Sequence, residues 1–150
     1  MNKLIAPMNW LMARAPMLQS LILLAIRLWL ANVFLRSGLL KLGSWESTVS
    51  LFATEYQLPF LPPELAAVLG TIVEIGAGGL LLVGALTPLA ALGLLVLTLT
   101  IELLVYPGTN DHYHWMLLLG TLIAFGGGKL SFDGLFFSRL LKPSHKSQNE

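Results

Sequence analysis

Four stretches of this chain are long and apolar enough to leave water altogether. The first runs from about Leu18 to Leu42 and is interrupted by Arg27, Asn32 and Arg36. The second runs from Leu65 to Val83, with Glu74 as its only charge. The third runs from Pro88 to Tyr106, with Glu102 near its end, and the fourth from Tyr113 to Gly128 with no charge. Each approaches the ~20 residues that carry a helix across ~30 Å of hydrocarbon. The fourth is short and needs little tilt or a locally thinned bilayer. None alternates polar and apolar residues over ~10 positions, as a barrel strand would. Leu, Ala and Gly dominate, which suits helices packed closely in lipid.

Composition closes the other options. Charged residues make up 11% of the chain, against about a quarter in a soluble domain. A formal net charge of +1 offers no basic field for nucleic acid. Cysteine is absent, which removes disulfides, thiolate metal sites, iron–sulfur clusters and dithiol redox chemistry. The expected fold is an all-α membrane protein: a four-transmembrane-helix bundle forming a single domain over 1–150. In it, 1–17 is an interfacial N-terminal segment. Residues 18–42, 65–83, 88–106 and 113–128 are the transmembrane helices, and 129–150 is a tail. The first 17 residues do not read as a cleavable signal, because the apolar run after them is too long and contains Arg27.

The breaks between spans are chemically legible. Gly84-Ala85-Leu86-Thr87-Pro88 is a tight connection with Pro88 in a first helical turn. Pro107-Gly108-Thr109-Asn110-Asp111 ends the third span, and Asn110 or Asp111 is suited to cap the fourth. The long connection from Gly43 to Glu64 holds three prolines but also Trp45, Phe52, Tyr56 and Phe60. It reads as a surface-lying loop with a short helix from Thr48 to Tyr56. Lys3, Arg14, Lys129, Arg139, Lys142 and Lys146 flank the two ends of the chain. That bias places both termini in the cytoplasm and the long, partly helical loop between helices 1 and 2 outward.

The charges inside the spans carry the functional clue. Each costs about 2.5–3.5 kcal/mol at a span centre, against about 0.3–0.6 kcal/mol returned by one Leu or Ile. Such groups should therefore face one another or a wet cavity. Thr98, Glu102 and Tyr106 recur at i, i+4 and i+8, and so do Gly70, Glu74 and Gly78. Glycines on either side of Glu74 let a helix or a flat ligand approach it. On the first span Arg27, Ala31, Phe34, Gly38 and Lys41 share one side, with Asn32 and Arg36 nearly opposite. Both sets cannot face the centre of one four-helix bundle, so one of them faces a second protomer or another subunit, or snorkels to the surface. Two readings stand: an anion, quinone or proton site around Arg36, Glu74 and Glu102, or structural ion pairs that lock helix register.

Weaker signals surround that cluster. His112 and His114 share a face only in an extended turn, where they would ligate a metal or haem with a third ligand such as Glu102 or Asp111. Otherwise they belong to an interfacial cap anchored by Tyr113 and Trp115. Met1, Met8, Met12 and Met17 fall at the N-terminus between prolines, where interfacial packing explains them better than Cu(I) binding.

Several segments together resemble the DoxX family of small bacterial membrane proteins. They are Arg27-Leu-Trp-Leu-Ala-Asn-Val-Phe-Leu-Arg-Ser-Gly-Leu-Leu-Lys41, Glu74 with Gly76 through Gly84, and Gly127-Gly-Lys-Leu-Ser-Phe-Asp133. The resemblance covers about residues 20–137. Ser44-Trp45, Leu51 through Tyr56, Leu58 through Ala66, Val105-Tyr106-Pro107 and His112-x-x-Trp115 are similar to one branch, found beside multinuclear iron oxidative enzymes that make bufferin-type peptides. The resemblance implies a bacterial inner-membrane accessory to a metal-handling or modified-peptide pathway, redox-linked through quinone or haem. It implies equally a scaffold, chaperone or export factor for a partner enzyme or peptide. The catalytic residues expected on the first reading are Glu74, Glu102 and Arg36. The cofactor would be held by Arg36, Lys41, Gly70, Glu74, Gly78, Thr98, Glu102, Tyr106 and Trp115, and a metal by His112 and His114. The expected partners are the bilayer, a partner enzyme or modified peptide and a second copy of the chain, with no nucleic acid.

Overall fold

A computed structural model describes the backbone of residues 2–140 and the side chains of residues 14–136. The tail with Lys142 and Lys146, and the side chains of Met1, Lys3, Met8, Met12 and Arg139, lie outside the described residues. Six α-helices and no strand occur among the described residues: α1 Asn2–Gly43, α2 Trp45–Leu51, α3 Pro63–Val83, α4 Thr87–Leu104, α5 Asn110–Phe125 and α6 Phe132–Leu140. A π-helical turn, Phe52–Tyr56, follows α2.

Three helices are long and apolar enough to cross a membrane: Arg14–Gly43, Pro63–Val83 and Thr87–Leu104. The fourth apolar stretch forms α5, whose 16 residues extend only about 24 Å, short of the ~30 Å hydrocarbon layer. α1 does not break at Pro7 or Pro16, so residues 2–17 run into the first span as one helix rather than forming a separate segment. Residues after the glycines are not a plain tail either, because α6 folds there.

Helix ends follow their residues. Pro63 opens α3, where its missing N–H is no loss, and Gly84 closes it at φ +73°. A side chain at Gly84 would also collide with the Arg27 guanidinium. Thr109, rather than Asn110 or Asp111, takes the N-cap position of α5, and no side chain caps it there. The short helix expected at Thr48–Tyr56 begins earlier, at Trp45, and ends in the π turn, closed by Gln57 in the left-handed region at φ 39°.

α1, α3, α4 and α5 pack up-and-down around Leu30, Ala31, Phe34, Leu81, Ala91, Leu94, Leu119 and Leu122. Glycines set the closest approach between α1 and α3: Gly38 stands against Glu74 and Ile75, and Gly78 against Leu35. The remaining faces are apolar and exposed, among them Ile72, Leu89, Leu103 and Leu117. Such a surface is stable only against lipid or other apolar chains. α2 and the π turn fold over one end of the bundle, with Phe52 seated on Ala66 and Ala67 and over Gly70. The α3–α4 turn and α6 form the other end, where Ser20 Oγ accepts from the Lys129 N–H and the Asp133 N–H donates to the Gly84 carbonyl.

Candidate functional site

The polar residues of the spans separate into three groups. At mid-bundle, Lys41 Nζ meets both Glu74 oxygens at 2.7 Å and donates to Ser37 Oγ at 2.8 Å, while Ser37 donates to Glu74 Oε1 at 3.1 Å. Glu74 is buried, and Lys41 nearly so. A cavity of about 190 Å³ opens beside this pair. Phe52, Tyr56, Leu58 and Leu61 come to it from the covering loop, Gly70 and Val73 from α3, and Gly93, Leu97 and Ile101 from α4. Its walls are therefore almost wholly apolar, with an ammonium–carboxylate pair at one point. Tyr56 is the notable addition. Its ring packs on Phe52 and Tyr106, and its hydroxyl makes no hydrogen bond to the described residues. Burial, with the carboxylates of Glu74 and Glu55 nearby, pushes the Tyr56 phenol up, so it stays a proton donor.

The second group closes the α4–α5 connection. Glu102 Oε1 accepts the Gly108 N–H at 2.6 Å, and Oε2 accepts the Thr109 N–H at 3.4 Å and meets His112 Nδ1 at 2.8 Å. Trp115 lies against His112 and edge-on to Phe34. Here the carboxylate ties down a turn that lacks its own caps. Outside it, Tyr106 donates to Glu55 and so fastens the covering loop to this connection. That bond, chiefly, pushes Tyr106 up to about 12, with a smaller contribution from burial.

The third group lies at the opposite end. Arg27 is 1% exposed and donates to the carbonyls of Leu81, at 3.3 Å, and Leu130, at 2.8 Å. Asp133 accepts the N–H groups of Leu86 and Thr87, both at 2.9 Å. α4 is preceded by Leu86 in the N-cap position at φ 47°, with no side-chain cap of its own, so its N-terminus is capped from α6. Ser131 accepts the Gly134 N–H and donates to the Gly128 carbonyl. The segments around Arg27 and Gly127–Asp133, far apart in the chain, form one latch.

Several expected groupings do not form. Arg36 is exposed on α1 and does not meet Glu74; Lys41 takes that place, because Gly38, Lys41 and Glu74 lie on the α1–α3 seam. Tyr106 leaves the face of Thr98 and Glu102, since α4 ends at Leu104. Thr98 is buried but donates to its own helix at Leu94. Gly78 admits Leu35, not a ligand, and of the two glycines flanking Glu74 only Gly70 borders the cavity. His112 and His114 both lie on helical α5, where i and i+2 diverge. His112 turns in to Glu102, and His114 bonds its own helix at Asn110. No group of three or more His, Asp or Glu suited to a metal occurs among the described residues.

A DoxX family profile matches residues 22–107. The chain belongs to the DoxX family. The DoxX match runs from within α1 to the turn after α4, so it contains Arg27, the Lys41–Glu74 pair, the cavity and Glu102. His112, Ser131 and Asp133 lie beyond it. No curated protein and no solved structure matches this DoxX chain.

Sequence reasoning singled out Glu74, Lys41, Gly70 and Glu102. It gave no role to Tyr56, Ser37 or Asp133. Tyr56 carried a signal in being one of several aromatics in a loop too apolar for a linker. Asp133 carried another: α4 lacks a capping residue of its own.

Proposed function

We propose that this DoxX protein is a bacterial inner-membrane redox accessory subunit whose cavity holds the head of a quinone. α5 serves as a fourth, short span, and the covering loop faces outward, on the side opposite the basic termini. The observation that carries the reading is the buried Lys41–Glu74 pair at the edge of an otherwise apolar cavity, beside a tyrosine hydroxyl without a partner. Drug-sized ligands occupy roughly 300–1,000 Å³. A cavity of about 190 Å³ suits a single ring, with an isoprenoid chain leaving toward lipid, and is too small for a haem macrocycle. Tyr56 supplies a donor to one ring oxygen. Glu74, held by Lys41 and Ser37, keeps one lone-pair position for a ring hydroxyl. The electrons travel on the quinone itself, since the chain has no cysteine. By the resemblance of its loop segments, the pathway served is a metal-handling or modified-peptide one.

The test is extraction and identification of quinone from protein purified in mild detergent. Wild type should carry quinone; Tyr56→Phe should retain several-fold less at unchanged thermal stability. A wild-type preparation with no extractable quinone overturns the reading. The polar outer face of α1 favours a second reading, a non-catalytic scaffold, chaperone or export factor for a partner enzyme or peptide. Complementation separates the two. Under the redox reading the stability-preserving double replacement Lys41→Met with Glu74→Leu impairs function far more than Glu46→Gln, whereas equal activity of the two variants favours the scaffold.

A further inference from the structure

α1 presents two polar faces, and the bundle uses one. Arg27, Gly38 and Lys41 point into it. Asn32 and Arg36, one turn apart, lie on the opposite side, in a strip with Ala25, Trp29 and Leu40, all exposed. Arg36 makes no hydrogen bond or ion pair with the described residues. Its depth follows from its neighbours. Gly38 stands against Glu74, near the middle of the Pro63–Val83 span, and Arg36 is about 3 Å away along the axis. Arg36 lies about 10 Å along the axis from the Gly43 end of α1 and farther from its other end, within a span sized for a hydrocarbon layer of ~30 Å. That is farther than an arginine side chain extends. Helical side chains also lean toward the N-terminus, which directs Arg36 toward Asn32 and away from the nearer helix end. A guanidinium at this depth requires a carboxylate or a wet cavity, and the bundle places its cavity on the other side of α1.

Among the described residues, a second copy of this chain offers no acid for Arg36. Glu74 is closed by Lys41 and Glu102 by His112 and the turn amides. Glu46, Glu55, Glu64 and Asp111 sit at the loop end, and Asp133 caps α4. Two copies meeting through this strip would set Arg36 against Arg36.

We propose that the Trp29–Asn32–Arg36–Leu40 strip docks a transmembrane helix of a different protein, one carrying a carboxylate near mid-membrane. Asn32 and the small Ala25 let the backbones approach, and the acid of the partner pairs with Arg36.

The experiment uses the full chain in its native membranes, with a photo-crosslinking residue replacing Leu40. The captured helix should carry an Asp or Glu at matching depth. Arg36→Leu should cut the crosslink at least tenfold and shift the protein to a smaller species on native gels, while Arg36→Lys retains most of it. Arg36→Leu removes a charge from a lipid-facing site, so the protein should still fold, checked by unchanged thermal stability. Arg36→Glu should be rescued by exchanging the partner's acid for Arg. A crosslink to a second copy, to lipid alone or to a helix without an acid overturns the proposal. So does an Arg36→Leu variant that migrates as wild type. The readout is the complex, not bound quinone, so the proposal stands or falls separately from the cavity reading.

Discussion

The two ends of the α1–α3 seam hold similar charges put to different uses. At the turn end, Arg27 has carbonyls for partners, and Asp133 has amides. Their task is to join α1, α3, α4 and α6; a cavity of about 550 Å³ opens beside Ser131 and Asp133, but Arg27 is not among its lining residues. Toward the loop end, Lys41 and Glu74 have mainly each other and Ser37, and one side of the pair faces a cavity. A buried charge that satisfies backbone groups is architecture. A buried ion pair that joins two helices already held by Gly38 and Gly78 is, under the proposed quinone reading, placed for a ligand rather than for helix packing.

That contrast is open to direct attack. The largest effect should come from breaking the pair on one side. Glu74→Gln leaves Lys41 buried without its counter-charge and should destabilise the protein by about 3–5 kcal/mol. Replacing both partners, Lys41→Met with Glu74→Leu, should recover most of that stability yet carry no quinone. Thermal unfolding in detergent, combined with quinone extraction, measures both. A double variant as unstable as the single one would make the pair architectural after all.

Arg27→Leu is the counterpart at the latch. It removes two charge-assisted bonds and takes the guanidinium donor from the Leu130 carbonyl, while Leu81 keeps the Gly84 N–H; the expected loss is about 3 kcal/mol in the same assay. No second substitution should repair it, because the partners are backbone. Asp133→Asn is milder. It weakens the cap on α4 by about 1 kcal/mol while leaving cavity binding intact.

The smallest effect concerns the covering loop. Tyr106 donates to Glu55 in its neutral form, and its folded value of about 12 lies above the ordinary value of 10.0. The contact therefore adds stability that is fully present below pH 10 and lost as pH rises toward 12. All three tyrosines are shifted upward, and Tyr106→Phe should remove one tyrosinate absorbance step, the one near 12. Loop proteolysis should quicken over that alkaline window in wild type alone.

Three long apolar helices, the breaks at Gly84–Pro88 and Pro107–Asp111, and the unusual standing of Glu74 and Glu102 were legible in the residues, because hydropathy and backbone chemistry are local. The helical periodicity of α1 also separated Arg27 and Lys41 from Arg36 before any coordinates. Periodicity cannot tell which of two opposite faces meets which helix, and so Arg36 stood in the expected site where Lys41 belongs. The histidine pair failed for a related reason: whether 112–114 is turn or helix depends on where α5 starts, and Glu102 draws His112 into the bundle.

The chain by itself determined that its helices belong in lipid and that several charges had to find mates there, since the transfer of each residue is nearly independent of its neighbours. Only the tertiary structure decided the pairings. Partners such as Arg27 with Leu130, Asp133 with Thr87, and Lys41 with Glu74 are distant in sequence, and their contact depends on helix rotation and depth. Those are set by the summed packing of small residues along each seam, not by any one residue.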